Sequence, residues 1–155
     1  MFRDLKYPTS TQNRIWSLRR KQVRPVDIAE QLSVSKAFIS KSQRIAEERI
    51  DGLMKHAARS NRIRLDRVSP QHGFAQGYCA AYDARTYITY SPKIGVQMWL
   101  DHTGDCSGCS ELKECTRILK TLSEEWDLEI DESVPPTERA SKLFQSMRRK
   151  LEWCE

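Results

Sequence analysis

The sequence predicts an α+β protein, mainly α-helical with one small β-hairpin. Three observations lead there. Apolar residues recur at helical spacing across roughly residues 10–60 and again after residues 111 and 136. Aromatic and β-branched residues crowd into FAQGYCAAY and TYITY, on either side of Asp83-Ala84-Arg85, as in two strands joined by a short turn. The charge also changes sign along the chain: residues 1–67 carry 16 Lys/Arg against 7 Asp/Glu, and residues 68–155 carry 10 against 14. The chain is therefore expected to divide into a basic helical module over 1–67 and an acidic, cysteine-bearing module over 68–155.

At 155 residues, with 30 % charged and 39 % hydrophobic side chains, the chain has the size and composition of a globular protein of one or two domains. No apolar run approaches the roughly 20 residues that span a bilayer. MFRDLKYPTS lacks the apolar core of a signal peptide. A cytoplasmic protein without a membrane partner is expected. In that reducing compartment, clustered cysteines serve as metal ligands or redox thiols more often than as disulfides.

The first helix is expected from a cap at Ser10 or Thr11 to about Lys21, with Ile15, Trp16 and Leu18 as apolar residues and Arg19-Arg20-Lys21 near the C-terminal end of the dipole. Pro25 opens a short second helix that buries Ile28, Ala29 and Leu32. Ser33-Val34-Ser35 is the turn, and Ser35 caps a third helix beginning at Lys36. Small Ala29, apolar Val34 in the turn and Ile39 returning to the core give the spacing of a helix-turn-helix. This leaves Ser35, Lys36, Ala37, Ser40, Lys41 and Arg44 on one outward face. Short polar side chains near a helix N-terminus, with cations along the same face, suit the major groove of double-stranded DNA. A solvated helix face explains any one of these charges alone.

The stretch from TQNRIWSLRR to QRIAEERI resembles the helix-turn-helix of the archaeal Tfx-type regulators, itself similar to region 4 of bacterial sigma factors. The resemblance rests on Gln12, Leu18, Arg19, Ile28 to Leu32, Ser35 and Arg44-Ile45-Ala46-Glu47. It implies a sequence-specific promoter-binding protein. The partners expected are double-stranded promoter DNA, the transcription machinery and, because a single helix-turn-helix usually gains specificity on paired half-sites, a second copy of the chain. The resemblance covers less than a third of the chain and says nothing about residues 68–155.

The third helix is expected to continue, because Ala46, Ile50, Leu53 and Ala57 prolong its apolar stripe as internal core or as a dimer seam. HAARSNRIRLDR then reads as a basic run suited to phosphates or, equally, as an ordinary exposed helix end. The hairpin follows, with Cys79 in its first strand; Pro92 closes it, and Val96 to Leu100 forms a further short apolar segment.

Cys106, Cys109 and Cys115 form C-x2-C-x5-C, with Cys79 lying 27 positions before the first. The x2 step folds two sulfurs toward one point, and the x5 step carries the third onto the first turn of a helix, ELKECTRILKTLSEEW. Paired knuckles, the usual mark of structural zinc, are absent. Three clustered cysteines completed by a distant one look instead like the ligand set of a 4Fe-4S cluster. The spacing resembles that of the WhiB-like regulators and of the cluster loop in endonuclease III-type DNA glycosylases. Their other motifs, the Gly-Trp-Gly-Gly turn and the catalytic Lys/Asp region, are not found here. The metal ligands expected are thus Cys79, Cys106, Cys109 and Cys115; in the alternative, His102 joins the three clustered cysteines around Zn2+ and Cys79 is an ordinary buried thiol.

An acidic linker ends at Pro135-Pro136, and Thr137 is expected to cap a last helix with Ala140, Leu143, Phe144, Met147 and Leu151 on its apolar face. Cys154 reads as a free terminal thiol. No P-loop, Ser-His-Asp set or carboxylate constellation is present, so no catalytic activity is expected. The combination predicts a DNA-binding transcription regulator that senses redox state, O2 or NO through a 4Fe-4S cluster. The alternatives are a DNA-binding or adaptor protein with a structural zinc and, less favoured, a thiol-redox or nucleic-acid-processing enzyme.

Overall fold

The computed structural model describes residues 5–104 and 106–153, so Cys154 lies outside the described residues. They form five helices and a four-stranded antiparallel sheet, an α+β fold with more strand than a single hairpin. Two compact units result, one reaching to Met98 and the other beginning at Trp99, whereas the charge balance divides the chain after residue 67.

In the first unit, α1 (Ser10–Arg20) is capped one residue earlier than Ser10, by Thr9. Gln12 decides this, because its amide donates to Thr9 Oγ1 at 3.2 Å while its side chain accepts from the Thr9 amide at 3.0 Å, a reciprocal capping box. Helix α2 (Pro25–Leu32) starts on the proline and stops at Ser33, whose left-handed φ of 55° closes it. Helix α3 (Lys36–Ser60) starts where Ser35 Oγ accepts from the Phe38 amide at 3.0 Å. Ile15, Ile28, Ala29 and Ile39 are the buried centre of the three helices, with Leu18, Val23, Leu32 and Val34 packed around them. Arg19 locks the arrangement by donating to Gln43 Oε1 at 3.2 Å and to the Val23 carbonyl at 2.9 Å.

The later part of α3 buries Ala46, Ile50, Leu53, Met54 and Ala58, and packs against the sheet. Its stripe is core within this unit rather than an open dimer seam. The basic run does not remain helical: α3 ends at Ser60, Arg62 turns the chain with φ 55°, and Ile63–Ser69 is β1. Strands β2 (Phe74–Cys79), β3 (Ala84–Ser91) and β4 (Gly95–Leu100) follow in sequential order. The turn before β3 closes through Tyr78, whose hydroxyl donates to Asp83, and through Asp83 with φ 47°. Ser91 Oγ accepts from the Lys93 and Ile94 amides at 3.0 and 3.3 Å, so Pro92 turns the chain into β4 instead of ending the sheet.

Trp16 explains why the strands belong with the first helices. Its indole meets Tyr90 edge-on at 5.4 Å, carries the Arg20 guanidinium 4.4 Å above its ring and lies against Gly73, where a Cβ would come within 2.9 Å.

In the second unit, α4 (Leu112–Glu125) packs on α5 (Pro136–Lys150). Leu119, Leu122, Trp126, Leu143, Phe144 and Met147 are buried. Lys150 Nζ donates to the Trp126 carbonyl at 2.9 Å, and Trp99 adds its ring 6.1 Å from Phe144. Thr137 is not the cap of α5: Pro135 takes that place and Pro136 is the first helical residue, which frees the Thr137 hydroxyl for other partners. Among the described residues, no helix is long and apolar enough to cross a membrane.

Candidate nucleic-acid interface and cysteine loop

The α2–turn–α3 pair sets out the expected reading face as a surface. Ser35, Lys36, Ala37, Ser40, Lys41 and Arg44 are all exposed, while Ile39 and Ser42 are buried on the opposite side of α3. Ser35 serves its own helix as the cap, which fixes where the face begins. Among the described residues, Lys36 and Lys41 make no ion pair, whereas Arg44 meets Glu48 at 3.0 Å with both side chains largely in solvent. Two uncompensated ammonium groups and the N-terminal end of a helix dipole give this end a positive field. At the start of α2, Arg24 is held beside Asp27 at 2.9 Å, so its charge is locally balanced.

One exposed residue at the edge of this face, next to Lys41, escapes the sequence reading. Phe38 is 42 % exposed although its type suggests core. Its signal is positional: it falls off the Ile39, Ser42, Ala46, Ile50 spacing that α3 buries.

The cysteine loop occupies the segment between β4 and α4. The Cys109 amide donates to the Cys106 carbonyl at 3.1 Å, closing the x2 turn, and the Leu112 amide donates to the Cys109 carbonyl at 3.3 Å. Cys115 lies in the first turn of α4, its amide 2.8 Å from the Glu111 carbonyl. Cys109 is exposed, while Cys106 and Cys115 are half-buried, and all are free thiols. Burial pushes the Cys115 thiol up, and Cys109, Glu111, Cys106 and Glu114 push it further in the same direction. A metal-free Cys115 is thus held protonated, the opposite of an activated thiolate nucleophile.

The loop is tethered to α5. Thr137 Oγ1 donates to the Gly104 carbonyl at 3.3 Å, and the Cys106 thiol lies 3.9 Å from the same hydroxyl. His102 is exposed and stacked on Trp99 with ring centroids 6.0 Å apart. Its Nδ1 lies 2.7 Å from the Leu100 carbonyl. A carbonyl only accepts, so Nδ1 carries the proton and the neutral ring keeps its lone pair on Nε2, the tautomer that metal-ligating histidines commonly hold this way.

Cys79 is placed differently. It is 5 % exposed in β2, opposite Ile63 and Ala84, on the sheet face shared with Ala75, Ile88 and Tyr90. The four cysteines of the expected ligand set therefore divide between the units, with Cys79 in the first and the other three in the second.

Three sulfurs on one turn and the adjoining helical turn are a donor set suited to a thiophilic metal. Among the described residues, no group of three His, Cys, Asp or Glu side chains is closed around a common point. Comparisons with protein-family models, with curated proteins and with solved structures each find no match to the chain.

Proposed function

We infer that the chain is a DNA-binding transcription regulator. In this reading α3 enters the major groove of promoter DNA, and the cysteine loop holds a metal group that makes binding responsive to redox state. The observation that carries it is the N-terminal face of α3: a run of exposed short polar and cationic side chains, with Lys36 and Lys41 uncompensated. Lys36, Lys41 and Arg44 are assigned to phosphates or guanine edges. Ser35, Ala37 and Ser40 allow the backbone to come close. A homodimer on paired half-sites would supply specificity that one short helix lacks.

In the cysteine loop, Cys106, Cys109 and Cys115 would hold the metal. A 4Fe-4S cluster, when bound, supplies a one-electron couple tuned by hydrogen bonds to its sulfurs. The chain's own part is to fix these thiols: the Cys106–Cys109 turn sets two of them, α4 sets the third, and Thr137 ties the loop to α5. The ligand spacing supports the cluster, with Cys79 as the fourth cysteine. The His102 tautomer favours the second reading, a Cys3His zinc site with a structural role, in which Cys79 packs in its sheet.

Full-length protein purified without oxygen, analysed for iron, sulfide and zinc, separates the two. A brown protein with iron and sulfide, whose affinity for promoter DNA changes after exposure to air, is expected from the cluster. One zinc per chain without colour establishes the second reading. Identical DNA binding with the metal present and removed overturns sensing and leaves DNA binding standing. Lack of binding to any duplex overturns the whole assignment.

A further inference from the structure

We propose that Phe38 is a sequence-reading residue that packs against the 5-methyl group of a thymine in the bound DNA; this rests on the DNA-binding reading of α3. The exposed large hydrophobic side chains among the described residues are Tyr7, Val26, Phe38 and Tyr82. A single exposed apolar residue is ordinary on a protein surface, so exposure alone decides nothing. The position of Phe38 does. Between Ser35 and Lys41 every residue but Ile39 is exposed, so this part of α3 stands out from the body of its unit. Phe38 lies on it one turn before Lys41, at the edge of the cationic face, where a positive field draws in the phosphates of a duplex.

Its backbone is held firmly. The Phe38 amide donates to Ser35 Oγ at 3.0 Å, so the capping bond that starts α3 also fixes the backbone from which the ring projects. The ring itself makes no aromatic contact among the described residues. It carries no hydrogen-bonding group, and in the major groove the one apolar mark that separates base pairs is the thymine methyl. Lys36 and Lys41 bring the duplex in without regard to sequence, while Phe38 distinguishes thymine from cytosine at one position.

The test uses the full-length protein and a duplex selected from a randomised library by the wild type. Each thymine in that duplex is replaced in turn by uracil, which removes only the methyl. For the wild type, one such replacement is expected to weaken binding about fourfold, the size of losing one buried methyl. In Phe38→Ala the same replacement is expected to have no effect, while in Phe38→Leu part of the effect returns. The melting temperatures of both variants should stay within a few degrees of the wild type, because Phe38 lies outside the buried core.

Equal sensitivity to uracil in the wild type and Phe38→Ala overturns the proposal, even where DNA binding stands. A change in the oligomeric state of free Phe38→Ala, with uracil sensitivity intact, also overturns it and assigns the ring to self-association. Failure of the wild type to bind any duplex overturns the DNA-binding reading and the role of Phe38 together.

Discussion

Trp16 and Pro70, 54 positions apart in sequence, are joined by a hydrogen bond from the indole Nε1 to the proline carbonyl at 2.9 Å. It fixes the turn between β1 and β2 onto α1. Trp16→Phe keeps most of the apolar packing and leaves that carbonyl without its donor, at an expected cost of about 1–3 kcal/mol. Urea denaturation should show a lower midpoint with an unchanged slope. An unchanged midpoint would show that the bond is replaced by water at no cost.

Two glycines should respond to alanine in opposite directions. A Cβ at Gly77 would sit 2.3 Å from the Arg64 carbonyl oxygen, whereas at Gly52 nothing lies within 4 Å. Gly77→Ala is expected to destabilise by at least about 1–3 kcal/mol, as overpacking does, because the obstacle is backbone and cannot swing aside. Gly52→Ala relieves an entropic weakness inside α3 and is expected to stabilise by roughly 0.5–1 kcal/mol. Thermal melts of the two variants would test the contrast, and a common sign for both would contradict the packing described.

Lys36→Ala and Lys41→Ala should each weaken DNA binding by a similar factor on selected and unrelated duplexes. Each should also reduce the slope of log affinity against log salt by about 1. Lys55, paired with Asp51 at 2.9 Å near the other end of α3, is the control, and Lys55→Ala should leave that slope unchanged. A salt slope that drops for Lys55→Ala and not for the other two would move the interface away from the N-terminal end of α3.

Cys109→Ser is expected to lose the bound metal, while Thr137→Val should retain its stoichiometry and release it to a chelator more readily. The valine removes the hydroxyl that joins the Gly104 carbonyl and Cys106 to α5. A loss of about 10- to 100-fold in metal affinity is typical when a partner of a ligand is removed. Metal content measured after chelator titration decides the matter; a Thr137→Val protein with wild-type affinity would assign that hydroxyl to packing alone.

The helices were legible because their signals are local. Pro25 at a first turn, Ser35 as a cap and the burial of Ile28, Ala29 and Ile39 follow from short-range chemistry. Strand β1 was hidden by its bulge: the pairing shifts between Leu65 and Arg67, so Leu65 and Val68 lose the period of two that marks a strand. The tight approach at Gly77 lies next to the same irregularity and depends on Arg64, 13 positions earlier in the neighbouring strand. Thr137 was misread as a cap because two prolines before it already supply the start of α5, which leaves its hydroxyl to the cysteine loop. Phe38 was overlooked because composition marks it as core, and only the phase of the buried stripe places it outside. The cysteine spacing was plain, but which side chain stands as fourth donor depends on distances that no spacing carries.

The uninterrupted length of α3 has a mechanical consequence. At 25 residues it runs about 37 Å, close to one turn of B-form DNA. Its last turns are gripped by the sheet, and its first half is held by α1 and α2 through Ile39, the buried Ser42 and the Arg19–Gln43 bond. Held along its length, such a rod links its supports: a tilt of about 5° at Met54 would move Lys36 sideways by roughly 2 Å, and would have to carry α1 and α2 with it. Repacking around Ile50 and Met54 would therefore reach the half-site only as a movement of the three-helix core as one piece, not as a swing of α3 alone.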